Sequence, residues 1–398
     1  MAAMKSLRPL ALVALLAVTA CSGGSDEAVE VPTPDAAQEA APATDATVVP
    51  DATDPDPAVG DDGADESTGD ESGGAVAGGD GDGEADSEDV DAAGDGEGAD
   101  SDGGGFTINA PARVRPSCDS LPLGVNEFTL DEGGFAYDVR LFVPSTVSSD
   151  PAPVVLDWHG LGSNGPQQAL YTGYETLAEE EGFIVVHATG QDSSWELAQF
   201  DMPDRDDLAF ADALIDTIIE DWCGDEARVY STGMSNGGLF TSELVCNRSN
   251  RIAAAASVAG TTHVDECDPE RPVPYIAFHG TADTVVPFGG GEESVLLPPE
   301  SVDALIDEGT PGEFADFAVD NGCDLEPQRT EQSAEIIRYD YTNCANDIPM
   351  TFYEIVGGGH TWPSSPIADP AAPLETSGFT FEVDATADAW AFMSQFSL

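Results

Sequence analysis

From Phe135 onward, short apolar runs alternate with stretches of helical spacing. FAYDVRLFVP (135–144) alternates apolar and polar side chains and ends at Pro144, which predicts an early, half-exposed strand. PVVLDWHG (153–160) reads as a buried strand running into glycine. QQALYTGYETLAEEEG (167–182) has helical spacing and a glycine stop, and FIVVHATG (183–190) is strand-like again. RDDLAFADALIDTIIEDW (205–222) sets Leu208, Ala211, Leu214, Ile215, Ile218 and Ile219 on one broad face, a strong amphipathic helix. RVYSTGMS (228–235) reads as a strand and is followed by a helix through Val245. AAAASVAG (253–260), VPYIAFHG (273–280), AEIIRYDY (334–341) and MTFYEIVGG (350–358) are further strands, and a helix near Ala385–Phe396 closes the chain. Gly289 to Gly312 fits no strand; a short helix over Val302–Ile306 is expected there, in an insertion that forms part of a substrate pocket or cover. The alternation predicts one α/β domain with a mainly parallel central sheet flanked by helices.

Roughly the first quarter of the 398 residues is different material. Residues 1–21 carry Lys5 and Arg8, then an apolar run from Pro9 to Ala20, too short to span a bilayer and suited to an export leader. The run ends in Val18-Thr19-Ala20-Cys21, which resembles a bacterial lipobox and predicts a lipid on Cys21. Residues 22–105 hold 26 acids and no basic or aromatic residue. Such a segment cannot bury enough apolar area to offset its chain entropy, so a disordered acidic tether is expected. Within it, DGDGEADSEDVD fails the EF-hand pattern, because Ala85 stands where that loop needs glycine. Residues 106–398 hold nearly all the aromatics and form the folded domain. With ten arginines, no lysine and a net charge near −40, the domain excludes nucleic acid and anionic membrane surfaces as partners. Membrane contact is expected through the lipid anchor alone, on the cell surface or in the periplasm. The sequence leaves the oligomeric state open.

Apart from Cys21, six cysteines remain, an even number that suits three disulfides in an exported chain. Fifteen connectivities are possible. The pairing expected is Cys118–Cys223, Cys246–Cys267 and Cys323–Cys344, the last two closing short loops. No CxxC pair occurs, so no zinc cluster is expected.

Gly233-Met234-Ser235-Asn236-Gly237 fits G-x-S-x-G between a strand pattern and a helix pattern, the setting of a nucleophile elbow. A serine hydroxyl needs a base within reach and a carboxylate to orient that base. On an α/β-hydrolase fold these follow in the order serine, acid, histidine. Of the five histidines, only His263, His279 and His360 follow Ser235. His360 lies just past a predicted strand in GGGHTWP and is the expected base, with His263 in reserve. His159 and His279 sit in strand-ending His-Gly pairs and are expected to shape turns, while His187 is expected inside a strand. Asp283, just past the strand YIAFHG, is the expected acid; Asp265 and Asp268 are its rivals. The oxyanion donors expected are the N–H of Asn236 and, from DWHGLGSN (157–164), that of Leu161, with Gly162 as the alternative.

Taken in order, HGLGSN, GMSNGG, HGTADTVVP and GGGHTWP resemble the polyhydroxybutyrate depolymerase and feruloyl esterase-like group, exported α/β-hydrolases akin to carbohydrate esterase family 1. The resemblance spans roughly Phe135 to the C-terminus. It implies Ser235 as nucleophile, Asp283 as acid, His360 as base and Leu161 as an oxyanion donor. It further implies that Trp195 and Trp362 contact the acyl or sugar group. No metal or organic cofactor is implied. The chain ends soon after the last helix, without the binding module usual in polymer depolymerases, so soluble esters are expected: acetylated or feruloylated saccharides, hydroxyalkanoate oligomers and short aryl esters. A serine peptidase on the same fold and a non-catalytic glycan-binding lipoprotein are the rival readings.

Overall fold

The computed structural model describes residues 117–199, 205–264, 267–290 and 294–398. The expected leader with Cys21, the expected acidic tether with its DGDGEADSEDVD stretch, and Asp265 lie outside the described residues.

In chain order the described strands are β1 (Gly124–Glu132), β2 (Phe135–Val143), β3 (Ala152–Trp158), β4 (Ile184–Thr189), β5 (Gly224–Met234), β6 (Ala254–Val258), β7 (Tyr275–Gly280), β8 (Gln328–Glu331), β9 (Ile336–Tyr341) and β10 (Met350–Ile355). They form one sheet in the order β1-β2-β4-β3-β5-β6-β7-β10-β9-β8. The run from β4 to β10 is parallel, and antiparallel strands flank it on both sides. The architecture is that of an α/β-hydrolase. The helices are α1 (Gly165–Thr172), α2 (Tyr174–Glu181), α3 (Asp207–Asp221), α4 (Asn236–Asn247), α5 (Pro299–Ile306), α6 (Gly309–Asp320), α7 (Leu374–Ser377) and α8 (Ala385–Met393).

The period-2 geometry of the strands divides the core between two faces. Val154, Leu156 and Trp158 of β3 pack with Phe210, Leu214, Ile215 and Ile218 of α3 and with Leu239, Phe240 and Leu244 of α4. Val155 points the other way and packs with Tyr174 and Ala178 of α2 and Ala389, Trp390 and Met393 of α8. Both faces of the parallel strands are covered, which is why their sequences are mostly apolar, with polar side chains such as Asp157 and His187 buried among them.

Several elements depart from the sequence reading. The helix expected over 167–182 is two helices, because Gly173 sits at φ 73° and its N–H closes α1 on the Ala169 carbonyl. Strand β8 is exposed at every residue, so hydrophobic patterning carries no trace of it. Helix α6 opens with Gly309 and Gly312, which masked its apolar face of Phe314, Phe317 and Ala318. The insertion after Gly289 forms α5, which buries Val302, Leu305 and Ile306 in the core, so that part is not a detached cover.

The six cysteines pair as Cys118–Cys223, Cys246–Cys267 and Cys323–Cys344. The first closes a loop of 105 residues and ties the chain ahead of β1 to the entry of β5. In the chain-entropy account, a loop of that length restricts the unfolded chain by about 4–5 kcal/mol.

Glu243 is a buried carboxylate on α4, 2% exposed. Its Oε1 accepts the Ala198 N–H at 2.6 Å, and Asn247 Nδ2 donates to its Oε2 at 3.2 Å. Burial is the main cause that pushes its pKa up to about 7; the Glu196 charge adds to the rise and the Ala198 bond opposes it. The folded state therefore holds this proton to higher pH than the unfolded chain does. The sign follows: stability is greatest below about pH 4.5 and is lost as pH rises through about 7, by about 3 kcal/mol for this group. Glu243→Gln is expected to remove that part of the slope. Chemical denaturation at pH 5 and pH 8 tests this, and equal slopes for parent and variant would refute it.

Candidate active site

Strand β5 runs into Ser235 and α4 begins at Asn236, the next residue. Ser235 has φ 55° and ψ −124°, a left-handed backbone for a residue with a Cβ. Such strain costs about 1–3 kcal/mol and persists only where the surroundings over-determine it. Here they do. The Ser235 N–H donates to the Val258 carbonyl at 2.9 Å, and the Ser235 carbonyl accepts from Leu239 at 2.9 Å. The flanking glycines are required by close approach. A Cβ on Gly237 would lie 2.1 Å from the Trp158 carbonyl oxygen, and one on Gly233 would lie 2.4 Å from the Gly237 oxygen.

Asp283 follows β7 and is buried. Its Oδ1 accepts the Val285 and Val286 N–H groups at 2.8 and 3.0 Å. Its Oδ2 lies 2.8 Å from His360 Nδ1. His360 stands past the end of β10, half-buried, with 18% of its side chain exposed. The acid and base loops are stitched together. The Ala282 N–H donates to the Gly358 carbonyl at 2.8 Å, and the Gly357 N–H donates to Thr281 Oγ1 at 2.8 Å. Because β5, β7 and β10 run parallel, Ser235, Asp283 and His360 share one edge of the sheet. The Asp283–His360 bond is formed; among the described residues no hydrogen bond joins Ser235 Oγ to His360.

The segment after β3 lies against the serine. A Cβ on Gly160 would come 3.3 Å from Ser235 Cβ and 3.8 Å from its Oγ. The Ser163 N–H closes a turn on the Gly160 carbonyl at 3.1 Å, with Leu161 at its exposed tip. The Gly162 N–H is engaged by the Ser193 carbonyl at 2.7 Å, which removes it as an alternative donor. Asn236, as the first residue of α4, has an N–H in the helix turn that lacks intrahelical acceptors.

The two tryptophans require a correction. Trp195 is 1% exposed and Trp362 0%, so neither presents its ring to a substrate. Trp195 packs against Trp158 and Phe240, and Trp362 against Tyr174 with its Nε1–H donated to Thr386. Large flat apolar rings fill the spaces under the loops, and their polar N–H groups find internal acceptors.

Of the other histidines, only His279 reaches the candidate acid, its Nε2 lying 3.4 Å from Asp283 Oδ2. His159 is buried; its Nε2 accepts the Gly190 N–H at 3.0 Å, and its Nδ1 lies 2.8 Å from the Gly160 carbonyl. Burial pushes its pKa down to about 4, so it stays neutral and braces the turn. His279 is buried with Nε2 2.8 Å from the Val286 carbonyl, and burial lowers its pKa as well. His187 is buried in β4 with Nδ1 3.1 Å from Asp157. His263 pairs with Asp320 at 2.7 Å. Cys267 lies beside that pair, but its sulfur is bonded to Cys246, so the group offers a metal no thiolate. Asp268 is exposed.

Sequence reasoning missed the residues that brace these loops. The Val295 N–H donates to the Thr284 carbonyl at 2.8 Å, and Ser294 Oγ donates to the Val285 carbonyl at 2.6 Å, so the insertion supports the loop carrying Asp283. The stretch Gly190–Trp195 likewise supports the turn at Gly160. Neither has a periodic signal; both work through backbone groups, which residue type does not reveal.

A mainly parallel sheet with a left-handed serine where one strand turns into a helix, and a carboxylate–imidazole pair at the same edge, is the layout of the α/β-hydrolase fold. Among curated proteins, the chain is similar to feruloyl and acetylxylan esterases. The chain is 29% identical over 227 residues to feruloyl esterase B of Piromyces equi, covering 54% of this chain and 41% of that protein. It is 30% identical over 164 residues to the bifunctional acetylxylan esterase/xylanase XynS20E of Neocallimastix patriciarum, covering 41% of this chain and 24% of that protein. The chain thus spans well under two thirds of the length of either relative. Among solved structures, the acetyl xylan esterase from Aspergillus awamori aligns over 59% of this chain and 94% of its own, at 18% identity and a TM-score of 0.42. No protein-family model matches the chain.

Proposed function

We propose that the protein is a serine-dependent carboxylic ester hydrolase of the feruloyl and acetylxylan esterase kind. The observation that carries this reading is the 2.8 Å bond from His360 to buried Asp283 at the sheet edge that also bears Ser235. Ser235 Oγ attacks the ester carbonyl carbon while His360 Nε2 takes its proton; this hydrogen bond forms when substrate is bound. The N–H groups of Leu161 and Asn236 hold the oxyanion, each contributing about 3 kcal/mol to the barrier reduction. The tetrahedral intermediate collapses and expels the alcohol, which receives the proton from His360. Water then attacks the acyl-enzyme, His360 accepting its proton, and the carboxylic acid leaves with Ser235 restored. Asp283 keeps the His360 proton on Nδ1 and stabilises the imidazolium.

The substrates proposed are soluble esters: acetylated or feruloylated saccharides first, then hydroxyalkanoate oligomers and short aryl esters. A fluorophosphonate probe is expected to label the enzyme once, at Ser235, and a panel of acetyl-xylan, methyl ferulate, hydroxybutyrate oligomers and aminoacyl amides to show ester turnover only. Amide turnover would replace the reading by a peptidase; tight glycan binding without labelling would replace it by a binding protein. Residues 1–21 are proposed as an export leader ending in lipidated Cys21, and 22–105 as a tether with a reach of roughly 50 Å. Three disulfides support an extracytoplasmic site. Cys21→Ser is expected to move the protein from the membrane fraction to the soluble one; unchanged membrane retention would remove the anchor from the account.

A further inference from the structure

The two proposed oxyanion donors come from segments far apart in sequence, the turn at Leu161 and the start of α4 at Asn236. The stretch Gly190–Trp195 touches both. On one side, the Gly162 N–H donates to the Ser193 carbonyl at 2.7 Å. Trp195 Nε1–H donates to the His159 carbonyl at 3.0 Å, and the Gly190 N–H to the His159 ring at 3.0 Å. On the other side, the Asn236 side chain clasps the backbone of Trp195 as a second peptide would. Its Oδ1 accepts the Trp195 N–H at 2.6 Å, and its Nδ2 donates to the Trp195 carbonyl at 3.1 Å.

The strut is itself held in a costly shape. Asp192 and Ser193 are consecutive non-glycine residues at φ 51° and 55°. Such a conformation survives where neighbours fix it, and it clusters at functional sites. Arg205 supplies the fixing from beneath, donating to the Gln191 carbonyl at 3.0 Å and to the Ser194 carbonyl, while it pairs with buried Asp207. With Trp195 packed against both Trp158 and Phe240, the strut has little freedom to relax.

We infer that the side chain of Asn236 is a positioning residue: through the Gly190–Trp195 strut it sets the separation between the Leu161 and Asn236 N–H groups, and so the fit of the oxyanion. This rests on the ester hydrolase reading. Asn236 thus has two separable roles, its backbone N–H as donor and its amide as a clasp. Only the second is lost on substitution, since every non-proline residue keeps the N–H.

The test compares Asn236→Ala and Asn236→Asp with the parent, as kcat and KM on p-nitrophenyl acetate per site titrated to completion with a fluorophosphonate. Removing the clasp is expected to lower kcat about 10- to 100-fold and to change KM less than about threefold, because the oxyanion forms only in the transition state. Asn236→Asp keeps one acceptor for the Trp195 N–H but sets a carboxylate oxygen against the Trp195 carbonyl, so kcat falls here too. It decides the matter if the alanine variant does not fold. A kcat within twofold of the parent in the folded variant overturns the inference, whatever happens to its melting temperature. A Ser235→Ala control separates the two claims. If that control is inactive while the Asn236 variants are parent-like, the strut falls and the hydrolase reading stands. If it retains full activity, the reading falls and the inference with it.

Discussion

Ser235→Ala is expected to lower kcat on p-nitrophenyl acetate by about 10⁶-fold, the order of loss seen when a serine nucleophile is removed from an intact triad. The folded state should hardly change. Ser235 Oγ makes no hydrogen bond among the described residues, so its loss orphans no partner. Alanine adopts the φ of 55° at the cost serine already bears. The elbow is fixed by backbone bonds to Val258 and Leu239, which the substitution leaves intact. A melting temperature within a few degrees of the parent, together with loss of turnover, is the combined result expected. Retention of full activity by the folded variant would place the nucleophile elsewhere and end the hydrolase proposal.

What made this site readable in the sequence was local constraint. Gly233 and Gly237 are glycines because the Trp158 and Gly237 carbonyls leave no room for a Cβ. The same crowding makes G-x-S-x-G a pattern at all. Asp283 and His360 stood out as candidates because each lies a few residues past an apolar strand, and parallel strands bring such positions to one edge. The buried β3, β4, β6 and β7 announced themselves as short, mostly apolar runs, whereas exposed β8 had nothing to announce.

The tryptophans show where that legibility stopped. A tryptophan beside a site residue has the same letter whether its ring lines the pocket or fills the space beneath it. Trp195 and Trp362 do the second, which only the packing of Trp158, Phe240 and Tyr174 around them decides. The bracing of the donors was equally hidden. It depends on carbonyls at Ser193 and His159, and every residue has a carbonyl.

Asp283→Asn is expected to lower kcat about 10³- to 10⁴-fold with KM little changed, a loss comparable to that of other triads whose acid becomes an amide. The hydrogen bonds around the carboxylate explain why so small a change should matter. Oδ1 is held by two backbone donors, Val285 and Val286, at 2.8 and 3.0 Å. An asparagine must therefore keep its oxygen there, because its NH₂ would be set against two N–H groups. That leaves the NH₂ at the position of Oδ2, facing His360 Nδ1 at 2.8 Å and, farther off, His279 Nε2 at 3.4 Å. A donor in that place is satisfied only if Nδ1 is bare, which moves the imidazole proton to Nε2. In that tautomer His360 has no lone pair to offer Ser235, and the imidazolium formed on proton transfer loses its countercharge. Stability should respond far less than rate, since both backbone donors keep their acceptor. Full kcat in Asp283→Asn would mean that the 2.8 Å contact is structural and that another carboxylate orients the base. A large loss of kcat with an intact fold would tie the buried carboxylate to the chemistry through the one atom the substitution changes.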